Sequence, residues 1–237
     1  MKINNKQNGN FRSATKRNNI LAGTTIIVLK STNFICIASD RKIVKIDDSL
    51  DNADSIRKIK IINNIAYASA GVVKDAFGLF DVDSIVKEAA NGGRNLIEIY
   101  RFISDKIRTT LPTLVENMQT TNLNTYTKYL QYISKIEIVL IGMYENNLSI
   151  LGGKFEVSEG MVCLCENIDF SSELGVCVLG CQEEINNYLD NCSSPFKNDI
   201  QAGFEFLIKL EADKNPDFVS LPVDILKLDI YGNFTWL

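Results

Sequence analysis

Any chemistry this sequence performs is done without histidine, for the chain has none. That excludes every Ser-His-Asp and Cys-His catalytic arrangement and removes the commonest zinc ligand. A hydrolytic site would have to be built from Lys, Asp, Glu, Ser, Thr, Cys or the chain's own amine. Three positions at the ends of apolar runs carry such groups: Gly23-Thr24-Thr25 heads the first run, Asp40 follows the second and Lys58 begins the third, while Ala70-Gly71 closes the fourth. A threonine hydroxyl is a poor nucleophile and needs a base beside it. A free α-amine, with a reference pKa of about 7.7–8.0, can take a proton near neutral pH. Thr24 would own such an amine only after cleavage of the Gly23–Thr24 bond.

The elements that must position these groups are legible as apolar periodicity. Thr24–Lys30 and Phe34–Ala38 are β-branched runs, apolar on both faces, joined by a hairpin at Ser31-Thr32-Asn33. Strands of that kind lie in a layer covered on each side. A second pair is expected at Lys58–Ile62 and Ile65–Ala70. Helical stripes follow, one from Val72 through Ala76, Leu79, Phe80, Ile85 and Val86, another from Asn95 through Leu96, Ile99, Ile103, Ile107, Leu111 and Leu114. Asn91-Gly92-Gly93 separates them, and Pro112 should kink or end the second. Residues 117–128 read as a loop. Strands resume at Lys135–Tyr144, Asn147–Leu151 and Gly175–Leu179. Two helices run through Ile185, Tyr188 and Leu189, and through Ile200, Phe204, Leu207 and Leu210. Strands at Pro222–Ile230 and Phe234–Leu237 close the chain. This order calls for an α+β fold, a four-layer αββα sandwich with two antiparallel sheets between helix layers.

Composition agrees with one domain of good size. The chain has 237 residues, 46% of them hydrophobic, and no apolar run approaches a membrane span. No signal peptide is visible, so a cytoplasmic protein with its six cysteines reduced is expected. Residues 1–23 carry five basic side chains and no acid, while the net charge of the whole is −4. That arm, rich in Asn, reads as a disordered or removable segment, leaving 24–237 as the domain. The acidic body argues against nucleic-acid binding, and neither a Gly-rich phosphate loop nor a paired C-x-x-C metal signature is present.

The constellation Gly23-Thr24-Thr25, Asp40, Lys58 and Gly71 resembles the catalytic layout of proteasome β subunits and the related bacterial HslV peptidase, members of the N-terminal-nucleophile (Ntn) hydrolases. The interval from Thr24 to Asp40 matches the family's. Arg57-Lys-Ile-Lys-Ile-Ile62 fits its lysine segment with two extra residues before it, and Ile65-Ala-Tyr-Ala-Ser-Ala-Gly71 followed by Lys74-Asp75-Ala76 comes close to its next one. The resemblance runs from Gly23 to the end and is strongest over 23–80. It implies that Thr24 is the nucleophile and that the Gly23–Thr24 bond is cut autocatalytically, so that the precursor is a zymogen. It further implies that Lys58 supplies positive charge beside the hydroxyl, that Asp40 holds Lys58, and that the N–H of Gly71 is the oxyanion donor. Asp217 and Ser220 would brace the Thr24 amine, and Ser69 and Val73 would line a pocket for an apolar or medium-sized side chain. Where the family carries Ser-Gly beside that amine, this sequence has Cys181-Gln182, and a thiol is a weaker hydrogen-bond partner than a hydroxyl.

Taken singly, these pieces have ordinary structural uses: Lys58 as an edge charge, Asp217 after Pro216 as a turn residue, Cys181 as a small buried apolar group. Their order and spacing are what is specific. The resemblance implies a cofactor-free threonine endopeptidase acting on unfolded polypeptides within a homo- or hetero-oligomeric ring, with an ATPase unfoldase as partner and no nucleic acid, membrane or metal involved. A non-catalytic structural subunit of such a ring and an Ntn amidohydrolase acting on a small amide are the alternatives. Proteasome α subunits share Gly-Thr-Thr at this strand, but residues 1–22 show nothing like their aromatic-rich leader, which favours the β type.

Overall fold

The computed structural model describes residues 20–22, 24–46, 54–75, 78–121, 123, 126–127, 134–158, 161–169 and 175–237. Two five-stranded antiparallel sheets face each other. The first has β6 (Lys60–Ile62), β7 (Ile65–Gly71), β8 (Lys135–Tyr144), β9 (Asn147–Ser158) and β10 (Met161–Asp169) in the order β10-β9-β8-β7-β6. The second has β2 (Thr25–Lys30), β3 (Phe34–Asp40), β11 (Gly175–Gly180), β12 (Val223–Asp229) and β13 (Phe234–Trp236) in the order β11-β2-β3-β12-β13. Helices α1 (Val82–Ala90) and α2 (Leu96–Thr121) cover the first sheet; α3 (Glu183–Asn191) and α4 (Ile200–Lys214) cover the second.

Alternation of side chains along each central strand builds three cores at once. On β2, Ile26 and Val28 point between the sheets and Ile27 points to the helices; on β3, Ile35 and Ile37 point inward and Cys36 and Ala38 outward. On β7 the inward residues are all small, Ala66, Ala68 and Ala70, facing Val139 and Ile141 of β8 on the same side. The two doubly apolar runs are therefore central strands of one of the two middle layers of the expected αββα sandwich.

Several expected boundaries move. The helix read from Val72 begins only at Val82, because the Asp81 side chain accepts from Ser84 N and fixes the N-cap there, while Asp75 accepts from Phe80 N and folds the preceding loop. Ala76 lies outside the described residues. Pro112 does not end α2. Leu111, Leu114, Val115 and Met118 continue the stripe into the core, and burying four such side chains at about 1.5–3 kcal/mol each outweighs the roughly 3 kcal/mol cost of an interior proline. The loop expected over 117–128 is helical through Thr121, and residues 123 and 126–127 are helical as well. Strand β6 begins at Lys60, so Lys58 precedes it. The second half of β9 and all of β10 escaped the sequence pattern. Gly152-Gly153 reads as a stop, and the register shifts between Leu164 and Glu166, so no single period of two spans β10.

A third, small sheet was also unexpected. β1 (Ile20–Ala22), β4 (Lys42–Ile46) and β5 (Asp54–Ser55) pair in the order β1-β4-β5, with Ala22 opposite Val44. The basic arm is thus a strand over its last residues before Gly23; residues 1–19 and Gly23 lie outside the described ones. Cys36, Cys177, Cys181 and Cys192 are free thiols; the side chains of Cys163 and Cys165 are not among those described.

Since Ile107 is fully buried in the α2 stripe, Ile107→Ala should cost about 2–5 kcal/mol in urea unfolding. Exposed Arg108→Ala on the same turn should stay within about 0.5 kcal/mol.

Candidate active site

The hairpin β2–β3 carries Thr24 and Asp40 to the same end of the second sheet, sixteen residues apart in sequence and within hydrogen-bond distance in space. Asp40 is fully buried. Its Oδ1 accepts from Thr24 Oγ1 at 2.6 Å, from Thr25 N at 2.8 Å and from Lys58 Nζ at 2.8 Å, and its Oδ2 accepts from Lys42 N at 2.9 Å. Lys58 Nζ also donates to Thr24 Oγ1. Thr24, Asp40 and Lys58 therefore form a closed triangle of hydroxyl, carboxylate and ammonium, with the lysine side chain only 6% exposed. Burial pushes Lys58 down to about 8, against the pull of the Asp40 carboxylate, which favours its charged form. A lysine with such a pKa is able to exchange a proton near neutral pH.

Gly71 enters from the first sheet. Val72 N donates to Lys135 O at 3.1 Å, which makes Val72 and Lys135 a hydrogen-bonded pair of the β7–β8 ladder. Alternation then turns the backbone groups of Gly71 and Ser69 away from β8. On that other side β6 pairs only with Ile65–Tyr67, and among the described residues no strand pairs with β7 beyond them. The Gly71 N–H is thus directed to an unpaired edge. Its φ of +84° and a hypothetical Cβ 2.3 Å from Lys135 O make glycine obligatory there.

No protein-family model matches the chain, and no curated protein matches its sequence. Among solved structures, Anbu (ancestral beta-subunit) from Yersinia bercovieri superposes with a TM-score of 0.56 over 90% of this chain and 86% of its own, at 12% identity. This chain shares that protein's fold, a sandwich of two antiparallel sheets between helix layers. Eukaryotic HslV from Trypanosoma brucei is also similar, with a TM-score of 0.46 over 86% of this chain and 99% of its own, at 14% identity.

Within this fold the remaining expected residues divide. Cys181 is brought to Thr24 by its backbone: Cys181 N donates to Thr24 O at 2.9 Å and Thr25 Oγ1 donates to Cys181 O at 2.9 Å. Burial pushes the Cys181 thiol up to about 11, and the Glu211 and Asp40 carboxylates add to this, so it is a neutral thiol and not a thiolate nucleophile. Asp217 and Ser220 do not hydrogen-bond Thr24. Phe218 N and Val219 N close a turn on Asn215 O that leaves Asp217 exposed, and the turn meets the site through Pro216 O, which accepts from Lys42 Nζ. Ser69 and Val73 line a cavity of about 150 Å³ beside Lys58. Its wall also carries paired polar groups: Tyr67 donates to Asp83 at 2.8 Å, Lys60 pairs with Asp83, and Lys74 pairs with Asp81 at 2.9 Å.

Three contributors were not singled out from sequence. Asp224, buried on β12, pairs with Arg41 at 2.5 Å and Arg57 at 3.5 Å, and so ties together the neighbours of Asp40 and Lys58. Glu137, on β8, accepts from Gly180 N at 2.9 Å. Gly180, at φ +79°, lies where a Cβ would stand 2.1 Å from Thr24 O. The available signal was an acid inside an otherwise apolar run, Glu137 in Ile136–Ile141 and Asp224 in Val223–Ile225, since a buried charge needs partners.

Removing the carboxylate at the centre would leave the buried donors that converge on it without their acceptor. Asp40→Ala should therefore lower unfolding free energy by about 3–5 kcal/mol in denaturant titration.

Proposed function

We propose that the chain is a self-processing N-terminal threonine endopeptidase of proteasome-like type. The observation that carries this reading is that Lys58 Nζ contacts both the Thr24 hydroxyl and Asp40 in a buried triangle. In the precursor, Thr24 Oγ would attack the carbonyl carbon of Gly23 while neutral Lys58 takes the hydroxyl proton and passes it to the departing Thr24 nitrogen. The product is an ester of Gly23 on Thr24 and a free α-amine. Water then hydrolyses the ester and releases residues 1–23. On a peptide substrate the same hydroxyl attacks the scissile carbonyl, with the new amine beside it as a further proton acceptor. The Gly71 N–H would donate to the oxyanion.

The edge of β7 at Ser69 and Gly71 favours a polypeptide over a small amide, because an extended chain can add its backbone hydrogen bonds there. The adjoining cavity would receive one substrate side chain. A ring of such subunits enclosing the sites would restrict access to unfolded chains, and an ATPase unfoldase would deliver them. Among the described residues no helix is long and apolar enough to cross a membrane, and we place the assembly in the cytoplasm.

The pH dependence of self-cleavage tests the role of Lys58. The base is the neutral amine, present above its pKa of about 8, so release of the segment, followed by intact mass after a pH jump, should speed up about tenfold per unit below pH 8 and level off above it. Lys58→Arg, which keeps the charge but does not deprotonate, should abolish the rise. A flat profile, or wild-type processing by Lys58→Arg, would remove lysine from the mechanism.

A further inference from the structure

We infer that Glu137 is a positioning residue that fixes the gap between the nucleophile's sheet and the sheet carrying the Gly71 N–H. This rests on the function proposed above. On β8, Ile136, Ile138 and Leu140 pack toward the helices, while Val139 and Ile141 face the other sheet. Parity puts Glu137 on that inward side, where it is 8% exposed at the end of the inter-sheet core. Its Oε2 crosses to the other sheet and accepts from Gly180 N at 2.9 Å, and its Oε1 pairs with Lys154 of neighbouring β9 at 3.1 Å.

Both ends of this link touch the site. Glu137 stands opposite Ala70 in the β7–β8 ladder, beside the Gly71–Ile136 pair. Gly180 stands opposite Thr25, next to Cys181, whose N–H holds the Thr24 carbonyl. The sheets are pinched here: a Cβ on Gly180 would stand 3.0 Å from Ala70 Cβ. Thr24 and Gly71 belong to different sheets with apolar contacts between them, and the attraction of apolar surfaces is non-directional. A charged acceptor on a backbone N–H is directional and short. The Glu137–Gly180 bond is therefore the element that sets how far the Thr24 hydroxyl lies from the oxyanion donor.

Two variants test this. Glu137→Gln keeps an oxygen that can accept from Gly180 N–H; Glu137→Leu keeps the approximate volume and removes the acceptor. In crystal structures of the full chain, the Thr24 Oγ to Gly71 N separation should widen by about 0.5 Å or more in Glu137→Leu and match wild type in Glu137→Gln. For peptide hydrolysis, Glu137→Leu should lose kcat by about tenfold or more with KM nearly unchanged, and Glu137→Gln should recover most of it. An unchanged separation in folded Glu137→Leu overturns the inference, as does an equal loss of kcat in both variants. A widened gap in a chain whose wild type cleaves nothing supports the tie and counts against the peptidase reading alone. Should Glu137→Leu fail to fold, a Glu137→Gln structure with the gap widened and the Gly180 bond kept would overturn it equally, and an unaltered gap would support it.

Discussion

Asp40 carries a carboxylate that water cannot reach, and an unpaired charge there would cost several kcal/mol. Everything close to it is arranged to supply donors. Thr25 N and Lys42 N come from the strands on either side of the β2–β3 hairpin's open end, Thr24 gives its hydroxyl and Lys58 its ammonium. These demands are local in chemistry but distant in sequence, so the chain can meet them only by closing the second sheet and bringing the segment before β6 against it. The reactive triangle is in this sense a by-product of satisfying one buried charge. The same burial that makes Asp40 dependent on its donors also destabilises the charged form of Lys58, and the result is a lysine poised near 8.

The rest of the structure limits how this triangle can move. Asp224 holds Arg41 and Arg57, the residues adjacent to Asp40 and Lys58 in sequence, so both arms of the triangle are anchored to β12. The turn at Gly180-Cys181 grips the backbone of Thr24 and Thr25. Glu211, buried in α4, accepts from Glu184 N and Ile185 N and so caps α3, whose own N-cap residue Gln182 makes no side-chain cap bond. The Cys181-Gln182 pair thus sits in a segment held by its backbone from both ends. The thiol fills space at a position where its hydrogen-bonding strength matters less than the N–H and C=O on either side of it.

Much of this was legible beforehand because it rests on strongly periodic signals. The doubly apolar strands β2 and β3 called for a second sheet against them, and the interval from Thr24 to Asp40 is the length of a hairpin whose ends meet. What was not legible depended on cancellation or on partners far away. Pro112 is overruled by the apolar stripe beyond it, the bulge in β10 erases its alternation, and Asp81 relocates the start of α1 through a cap that periodicity does not register. Pairing of Ile20–Ala22 with β4 could not be read from three residues. The roles of Glu137 and Asp224 emerge only when a β8 side chain is seen to reach β11 and a β12 side chain to reach two arginines.

Whether Thr24 acts on its own chain is read most directly by intact mass spectrometry of purified wild type beside Thr24→Ala. Self-cleavage requires a wild-type chain that begins at Thr24 and a variant that keeps residues 1–23. Retention of the segment by both would contradict it and leave a ring subunit without catalysis, while loss of the segment by both would show that the cut is made by another protease.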